Sequence, residues 1–234
     1  DEGTCYRREA IEKARELASS LGVEHVVVEM SDIHGISVPE IVKILPRGSR
    51  RTPCTYCGIL RRQALNILAR EIGATKVATG HNLDDMAQTY MMNLMRGDLS
   101  AMVRVLISKS PSEKLVRRIR PLRYVYEKEV TTLVLGMGIP AKIGKCPMVT
   151  GMRVGVRRAL NLLEEQLPGV KEGIVRGMEK LMSRATWLIS GEIQIRSCSI
   201  CGEPTTGEIC KACELKKELE EVIGRPISGS WPRS

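Results

Sequence analysis

The chain has 234 residues, a hydrophobic content of 43% and a formal net charge of +9. This length allows one full core and a small appended module. The sequence has neither a signal peptide at its start nor an apolar run of the roughly 18 residues that a membrane helix needs. We therefore expect a cytoplasmic protein outside the membrane. Its basic surplus favours a polyanionic partner such as nucleic acid, although a basic surface can also serve solubility.

The first 150 residues alternate predicted helices and strands. Apolar residues at helical spacing predict a helix that Gly22 ends, and a β-branched run predicts a strand over residues 23–29. After a polar stretch, the pattern predicts a helix over 60–72, a strand over 75–79 and a helix that begins at Asn82. The remaining elements are a strand, a helix and a strand over residues 115–122, 126–135 and 140–143. This alternation is typical of an α/β fold with a parallel sheet.

The pattern changes after Gly151. Two helices are predicted over residues 152–167 and 169–189. From Ser197 the chain is rich in Cys, Gly and Pro, and it closes with a charged helix over residues 211–222. The clearest boundary therefore lies near Arg196.

Four cysteines near the C-terminus form two C-x-x-C pairs, with eight residues between them: Cys198, Cys201, Cys210 and Cys213. Structural zinc requires four such soft ligands in a tetrahedron, and two C-x-x-C turns supply them. Gly202 follows the first pair, where a tight turn favours glycine. The spacing therefore predicts a zinc ribbon, which could bind RNA or have only a structural role.

A third C-x-x-C pair, Cys54 and Cys57, lies just before a predicted helix. Five arginines flank it, at positions 47, 50, 51, 61 and 62, and no acidic residue occurs from 47 to 62. Positive charge and a helix N-terminus both favour thiolate. Cys146 is the additional candidate ligand in this half, whereas Cys5 has no assigned role. The pattern leaves three alternatives open: an iron–sulfur cluster with one open iron, a redox dithiol, or a structural metal with a further ligand.

The stretch Thr79-Gly80-His81-Asn82-Leu83-Asp84-Asp85 connects a strand to a helix. Asn82 is a favoured N-cap and Asp85 occupies the third helical position, so the pattern alone favours helix capping. Alternatively, Asp85 lies at the carboxyl edge of the sheet, where a carboxylate is available to Mg²⁺ or to a reacting hydroxyl.

Several stretches together resemble the PP-loop tRNA 2-thiolation enzymes, which include 2-thiouridine synthetases and the eukaryotic cytoplasmic tRNA 2-thiolation protein. They are Asp1-Glu2-Gly3 with Tyr6-Arg7, Cys54-Thr55-Tyr56-Cys57-Gly58, Arg61-Arg62-Gln63-Ala64-Leu65, Ala78-Thr79-Gly80-His81-Asn82-Leu83-Asp84-Asp85, Asn93-Leu94-Met95-Arg96-Gly97-Asp98, Pro121-Leu122-Arg123-Tyr124 with Glu127-Lys128-Glu129, and the terminal cysteine ribbon. Their order and spacing are specific as a set. The resemblance covers nearly the whole chain.

The resemblance implies ATP-dependent tRNA uridine 2-thiolation, in which ATP with Mg²⁺ activates the uracil C2 oxygen as an adenylate and a sulfur donor displaces AMP. Three cysteines of the family hold a [4Fe–4S] cluster, and they match Cys54, Cys57 and Cys146. Gly80, Asp85 and Arg61 match nucleotide and catalytic positions, with Asp85 and Arg61 as the catalytic pair. Some members have Lys at the Arg61 position, and Arg keeps the charge but not the geometry.

The resemblance also implies partners and an architecture. The partners are tRNA and a ubiquitin-like sulfur carrier with a C-terminal thiocarboxylate; a homodimer is compatible with it. The fold is a PP-loop ATPase-like (HUP-type) α/β domain, with a parallel sheet flanked by helices and a C-terminal zinc ribbon. We expect an incomplete PP-loop domain over 1–150, a helical extension over 151–196, and the ribbon and tail over 197–234.

The family's first strand and its Ser-Gly-Gly-x-Asp-Ser phosphate loop should precede Asp1-Glu2-Gly3, so we expect a fragment that binds tRNA but does not hold ATP alone. The sequence Arg61-Arg62-Gln63-Ala64-Leu65 resembles the branch of the family that acts on wobble uridine 34 more than the branch that acts on uridine 54. Two other interpretations stay open: a non-catalytic zinc-ribbon tRNA-binding protein, and a thiol redox protein that needs no Cys146.

Overall fold

The computed structural model describes residues 1–46, 48, 49, 51–98, 101, 113–144, 146–190 and 195–230. Its helices are α1 (Cys5–Ser20), α2 (Met30–His34), α3 (Val38–Ile44), α4 (Pro53–Glu71), α5 (Leu83–Met95), α6 (Glu127–Gly136), α7 (Met152–Gln166), α8 (Val170–Ser190) and α9 (Lys211–Ile223). Its strands are β1 (Lys76–Ala78), β2 (Arg117–Ile119), β3 (Arg196–Ser197) and β4 (Pro204–Thr205). Each helix in these ranges is too short or too polar to span a membrane.

The predicted parallel sheet is confirmed by the pairing of β1 with β2. Lys76 lies opposite Arg117 and Ala78 lies opposite Ile119. One residue beyond the strand, the Thr79 amide donates to the Ile119 carbonyl at 3.0 Å. The carboxyl ends of both strands therefore meet at one edge, from which the turn to α5 leaves.

Two predicted strands are wrong. Residues 23–29 form no ladder with the described strands. The Asp1 ammonium donates to the Val28 carbonyl at 2.6 Å, and the Met30 amide donates to the Asp1 carbonyl at 2.7 Å. A β-branched run becomes a strand only where a neighbouring backbone pairs with it. Residues 140–143 form a loop. Pro140 lacks an N–H for pairing, and Lys142 contacts Glu9 of α1 at 2.5 Å.

Two short helices, α2 and α3, lie in the polar stretch after residue 29, where the sequence pattern predicts neither a helix nor a strand. The first turn of α3 is a capping box, because the Glu40 carboxylate accepts from the Ser37 amide at 2.8 Å. The spacing of Ser37 and Glu40 is a recognisable signature of a helix start. The spacing of Ser37 and Glu40 therefore indicates the start of α3, although the polar composition of the stretch does not.

The described residues pack around two hydrophobic cores. The first joins α2, α3, α4 and α9, and its fully buried members include Ile41, Leu60 and Leu215. Cys198, Cys210 and Cys213 also lie in this core. The second core joins α5, α7 and α8 through residues such as Leu83, Tyr90, Leu160 and Val175. The C-terminal cysteine segment therefore shares its core with α4.

Candidate metal centres and active site

The N-terminal end of α4 presents Cys54 and Cys57. Thr52 is the extended N-cap residue, and Pro53 occupies the first helical position, where its missing N–H leaves no bond unmade. The sequence therefore places the Cys54 thiol in the first turn of α4 and the Cys57 thiol at the start of the next turn.

The third central cysteine, Cys146, approaches the same end of α4 from the loop after residue 143. The Cys54 thiol donates to the Met148 carbonyl at 3.1 Å, and the Tyr6 hydroxyl donates to the Gly144 carbonyl at 3.0 Å. Cys146 is close enough to act electrostatically on Cys57. The three predicted cluster ligands thus come together. Lys145, like Arg47 and Arg50, lies outside the described residues.

Burial raises the pKa of the Cys57 thiol, because a bare thiolate loses its hydration there. Arg61 and Arg7 oppose this effect, whereas Glu2 and Cys146 add to it. The Arg7 guanidinium is held by Glu2, with 2.8 Å between Nε and Oε2. A half-buried thiol of this kind favours a bound cation over a free negative charge.

The C-terminal quartet has a different geometry. Its four sulfur atoms lie within 4.8 Å of one another, and the Cys201 and Cys210 sulfurs are 3.6 Å apart. A tetrahedral zinc with bonds of about 2.3 Å separates its ligands by about 3.8 Å. Within the described ranges, this quartet is the one group of three or more metal-ligating side chains that is so compact. The quartet is therefore compact enough to bind one metal ion.

The backbone around the quartet is already arranged for thiolates. The Cys210 amide donates to the Cys198 sulfur at 3.2 Å, and Gly202 has a φ of +69° in the turn after Cys201. The hydrogen bond from Cys201 lowers the pKa of Cys210 to about 5, and the same contact raises the pKa of Cys201. Metal ligation needs thiolates, so a bound metal ion would replace this contact between the two thiols.

The turn from β1 to α5 combines capping with an open surface. The Asp85 amide donates to Asn82 Oδ1 at 3.0 Å, and the Asn82 amide lies 3.4 Å from Asp85 Oδ2, so the capping interpretation is confirmed. The Asp85 side chain is nevertheless 37% exposed, and Arg153 lies 3.6 Å from its other oxygen. A Cβ added at Gly80 would meet no atom within 4 Å, so a ligand has room there.

The neighbouring acid, Asp84, has a structural role that the sequence reasoning missed. It is 5% exposed, forms an ion pair with the equally buried Lys171, and accepts from the Glu127 amide at 2.7 Å. These contacts join α5 to α6 and α8. Its position one residue after the buried Leu83, on the inner face of α5, was the available signal.

Arginines surround the space between the central cysteines and the β1–α5 turn. Burial lowers the pKa of His81, and Arg120, Arg153 and Arg61 lower it further, while Asp85 opposes them. The pKa of Arg62 falls to about 10, because its guanidinium is crowded by protein and by other arginines although part of it meets solvent. Arg61 acts on both Cys57 and His81, so it links the two halves of the site.

Arg118, Arg120 and Arg153 were not predicted as site residues. The run Arg117-Arg118-Ile119-Arg120 was the available signal, because three arginines within four residues of a short strand favour an anionic ligand nearby. Arg153 follows Gly151 at the start of α7, and nothing in the sequence places it beside Asp85.

This fold and site define an α/β protein of the HUP type with two separate cysteine centres. A family model described as "tRNA methyl transferase HUP domain" matches residues 1–142. The chain is 34% identical to "tRNA 2-thiolation protein NcsA" of Haloferax volcanii, over 93% of the chain and 70% of that protein. It is 30% identical to "Cytoplasmic tRNA 2-thiolation protein 1" of Saccharomyces cerevisiae, over 94% of the chain and 63% of that protein.

A solved structure agrees with these relatives. It is the U34-tRNA thiolase NcsA from Methanococcus maripaludis with its [4Fe–4S] cluster, which matches at a TM-score of 0.75 and 33% identity, over 93% of this chain and 68% of that one. The chain therefore belongs to the PP-loop tRNA 2-thiolation family. It spans roughly two thirds of the length of these relatives.

Proposed function

We propose that the chain is part of an ATP-dependent tRNA sulfurtransferase that forms 2-thiouridine. The observation that carries this proposal is the meeting of Cys54, Cys57 and Cys146 beside Arg61, next to the turn that holds Asp85. The names of the similar proteins, tRNA 2-thiolation proteins and sulfurtransferases, support the same activity.

The central thiols are proposed to hold a [4Fe–4S] cluster. Cys54 and Cys57 lie at the N-terminal end of α4, and Cys146 is close enough to act electrostatically on Cys57. The similar NcsA of Methanococcus maripaludis carries such a cluster. Bound by three cysteines, such a cluster has one iron free of protein ligands, which can carry the sulfur to be transferred. Arg7 and Arg61 offset the negative charge of the thiolates from the sides.

The nucleotide is proposed to lie at the carboxyl edge of the sheet. Gly80 leaves room for it, and the exposed oxygen of Asp85 is available to Mg²⁺ or to a reacting group. Arg61 also lines a cleft of about 330 Å³ that Glu2 and Arg7 share. Its charge can stabilise phosphate or the developing negative charge of the transition state, and its planar guanidinium suits both.

Zinc is proposed at Cys198, Cys201, Cys210 and Cys213, whose spacing already suits one tetrahedral ion. The tRNA is proposed to bind the arginine-rich surface around the central cysteines, which includes Arg61, Arg118 and Arg153. Phosphate contacts of this kind make binding sensitive to salt. We place the reaction in the cytoplasm. Uridine 34 is the favoured target because the sequence Arg61-Arg62-Gln63-Ala64-Leu65 resembles the branch of the family that acts on the wobble uridine.

The sulfur donor is proposed to be a small ubiquitin-like carrier with a C-terminal thiocarboxylate. A thiocarboxylate is anionic, so the same arginines would attract it toward the central cysteines. The carrier and the homodimer both stay predictions. The rival interpretation is a non-catalytic tRNA-binding protein, and it predicts that the central cysteines are dispensable for the modified nucleoside.

The decisive experiment is nucleoside mass spectrometry of tRNA from a strain that lacks the gene. We expect 2-thiouridine derivatives to disappear, and the full-length protein to restore them. Cys57→Ala and Arg61→Ala should fail to restore them, whereas the matched control Cys5→Ala, which changes an exposed thiol, should succeed. Restoration by Cys57→Ala would reject the sulfurtransferase and favour the rival.

A further inference from the structure

Helix α4 carries two of the central cysteines and also packs against the C-terminal segment. On one side, Arg61, Leu65 and Leu68 line a cleft that Glu2 and Arg7 share. Leu60 is fully buried in the core that α4 shares with the C-terminal segment. One helix therefore contributes to the surroundings of both cysteine groups.

Gln63 projects from α4 toward the C-terminal quartet. Its side-chain nitrogen lies 3.6 Å from the Cys201 sulfur and 3.6 Å from the Cys210 sulfur. These two sulfurs come from different C-x-x-C pairs. One amide group therefore touches both halves of the quartet, while Arg61, two residues earlier, belongs to the other centre.

The turn after the first pair is fastened to the same helix. Arg70 forms an ion pair with Glu203 at 2.5 Å, and the Asn66 side-chain nitrogen donates to the Lys114 carbonyl at 2.8 Å. Lys114 in turn donates to the Gly202 carbonyl at 3.1 Å. Gln63 thus continues a line of polar contacts along one side of α4, and it is the member that reaches the sulfurs.

We infer that Gln63 positions the zinc ligands and couples zinc binding to the helix that carries Cys54, Cys57 and Arg61. Zinc thiolates keep a large negative charge, and an N–H group that points at them stabilises that charge and fixes the orientation of the ligands. Zinc bound to the quartet then holds the middle of α4 in place. This inference rests on the zinc site proposed above.

The first test measures zinc affinity of the whole chain by competition with a chromophoric chelator. Gln63→Met keeps the length of the side chain but removes the donor, and we expect affinity to fall about 10- to 100-fold. Gln63→Glu should lower it further, because a carboxylate repels thiolates. Leu65→Ala is the matched control on the opposite side of α4, and its affinity should equal that of the unchanged chain.

The second test measures amide hydrogen exchange over residues 54–63, first in the unchanged chain with zinc bound and after its removal, and then in a variant. We expect faster exchange there after zinc removal, and little change in α8. Gln63→Met with saturating zinc should exchange faster over the same residues than the unchanged chain does.

The outcomes separate this inference from the zinc proposal. If the unchanged chain binds no zinc, both are wrong. If the unchanged chain binds zinc, and both Gln63→Met and Gln63→Glu bind zinc as tightly as the unchanged chain does, Gln63 has no positioning role. If zinc removal leaves exchange over residues 54–63 unchanged, the coupling to the central centre is wrong.

Discussion

The two cysteine groups of this chain use the same side chain in opposite surroundings. Cys198, Cys210 and Cys213 are buried in a hydrophobic core, and their sulfurs are compact enough for one ion. Cys54, Cys57 and Cys146 are only partly buried. Arg61, Glu2 and Arg7 act on Cys57, and the same three side chains line a cleft. A closed site stabilises a fold, whereas an open site leaves a position for a reacting group.

The two acids of the β1–α5 turn repeat this contrast one residue apart. Asp84 is buried and its oxygens are held by Lys171 and by the Glu127 amide. Asp85 keeps an exposed oxygen near Arg153. Adjacent side chains on a helix point in different directions, so Asp84 is buried while Asp85, the next residue, is partly exposed.

The largest expected effect concerns the closed cysteine group. Cys210→Ser should lose zinc and cost several kcal/mol, a part of the roughly 10–16 kcal/mol that zinc contributes in isolated zinc modules. Because Cys210 shares a core with Leu60 of α4, unfolding should reach α3 and α4 and not stop at the C-terminal segment. Metal analysis and thermal unfolding measure both effects, with Cys5→Ser as the control. Retention of one zinc would reject this assignment.

The next effect concerns the closed acid. Asp84→Ala leaves Lys171 buried without its carboxylate, so we expect a loss of about 3–5 kcal/mol in the free energy of unfolding. Urea denaturation measures this loss. The double substitution Asp84→Ala with Lys171→Met should recover part of it, because it removes the unpaired charge. A loss below about 1 kcal/mol would mean that the pair contributes little to joining α5 and α8.

Acid should weaken the first core through His34. Burial lowers the pKa of His34 to about 4, and its ring nitrogen lies 2.9 Å from the Leu60 carbonyl. The unfolded chain, with a pKa near 6.5, takes up this proton first as pH falls. Stability is therefore complete above about pH 6.5 and declines by about 3 kcal/mol toward pH 4. His34→Gln should flatten this part of the pH profile of unfolding; an identical slope would contradict the assignment.

The smallest effect on stability concerns the open acid. Asp85→Ala removes a cap that is worth about 0.5–2 kcal/mol, so melting should change little. In the full-length protein we nevertheless expect thiolation of tRNA to stop while tRNA affinity is kept. A nucleoside assay and a binding titration on the same preparation separate these effects. Residual activity together with a large loss of stability would show that Asp85 acts as a cap alone.

Local patterns predicted much of the fold. The helices α5, α7 and α8 follow from apolar periodicity. The helix predicted over 60–72 begins seven residues earlier, at Pro53, so Cys54 and Cys57 lie inside α4 and not before it. The strand over residues 23–29 could not be decided locally, because a strand depends on a partner and not only on β-branched residues. The shared core of α4 and α9 joins residues about 150 positions apart, and such pairing leaves no local signal.

The site was predicted only in part, because local patterns do not show contacts between residues that are distant in the sequence. Cys54, Cys57 and Asp85 belong to contiguous motifs, so the resemblance to a known family could imply roles for them where type and spacing alone left alternatives open. Arg153 and Gln63 act through neighbours that are distant in the sequence, namely Asp85 and the sulfurs of Cys201 and Cys210. No spacing rule reports such contacts.

The contrast between the two cysteine groups is tested most directly by metal content after anaerobic reconstitution. The unchanged chain should hold about four irons, as a [4Fe–4S] cluster requires, together with one zinc. Cys146→Ala should lose the iron and its visible absorbance and keep the zinc, while Cys5→Ala should keep both metals. If Cys146→Ala retains four irons, the three central cysteines are not the cluster ligands, and the distinction between an open and a closed centre is wrong.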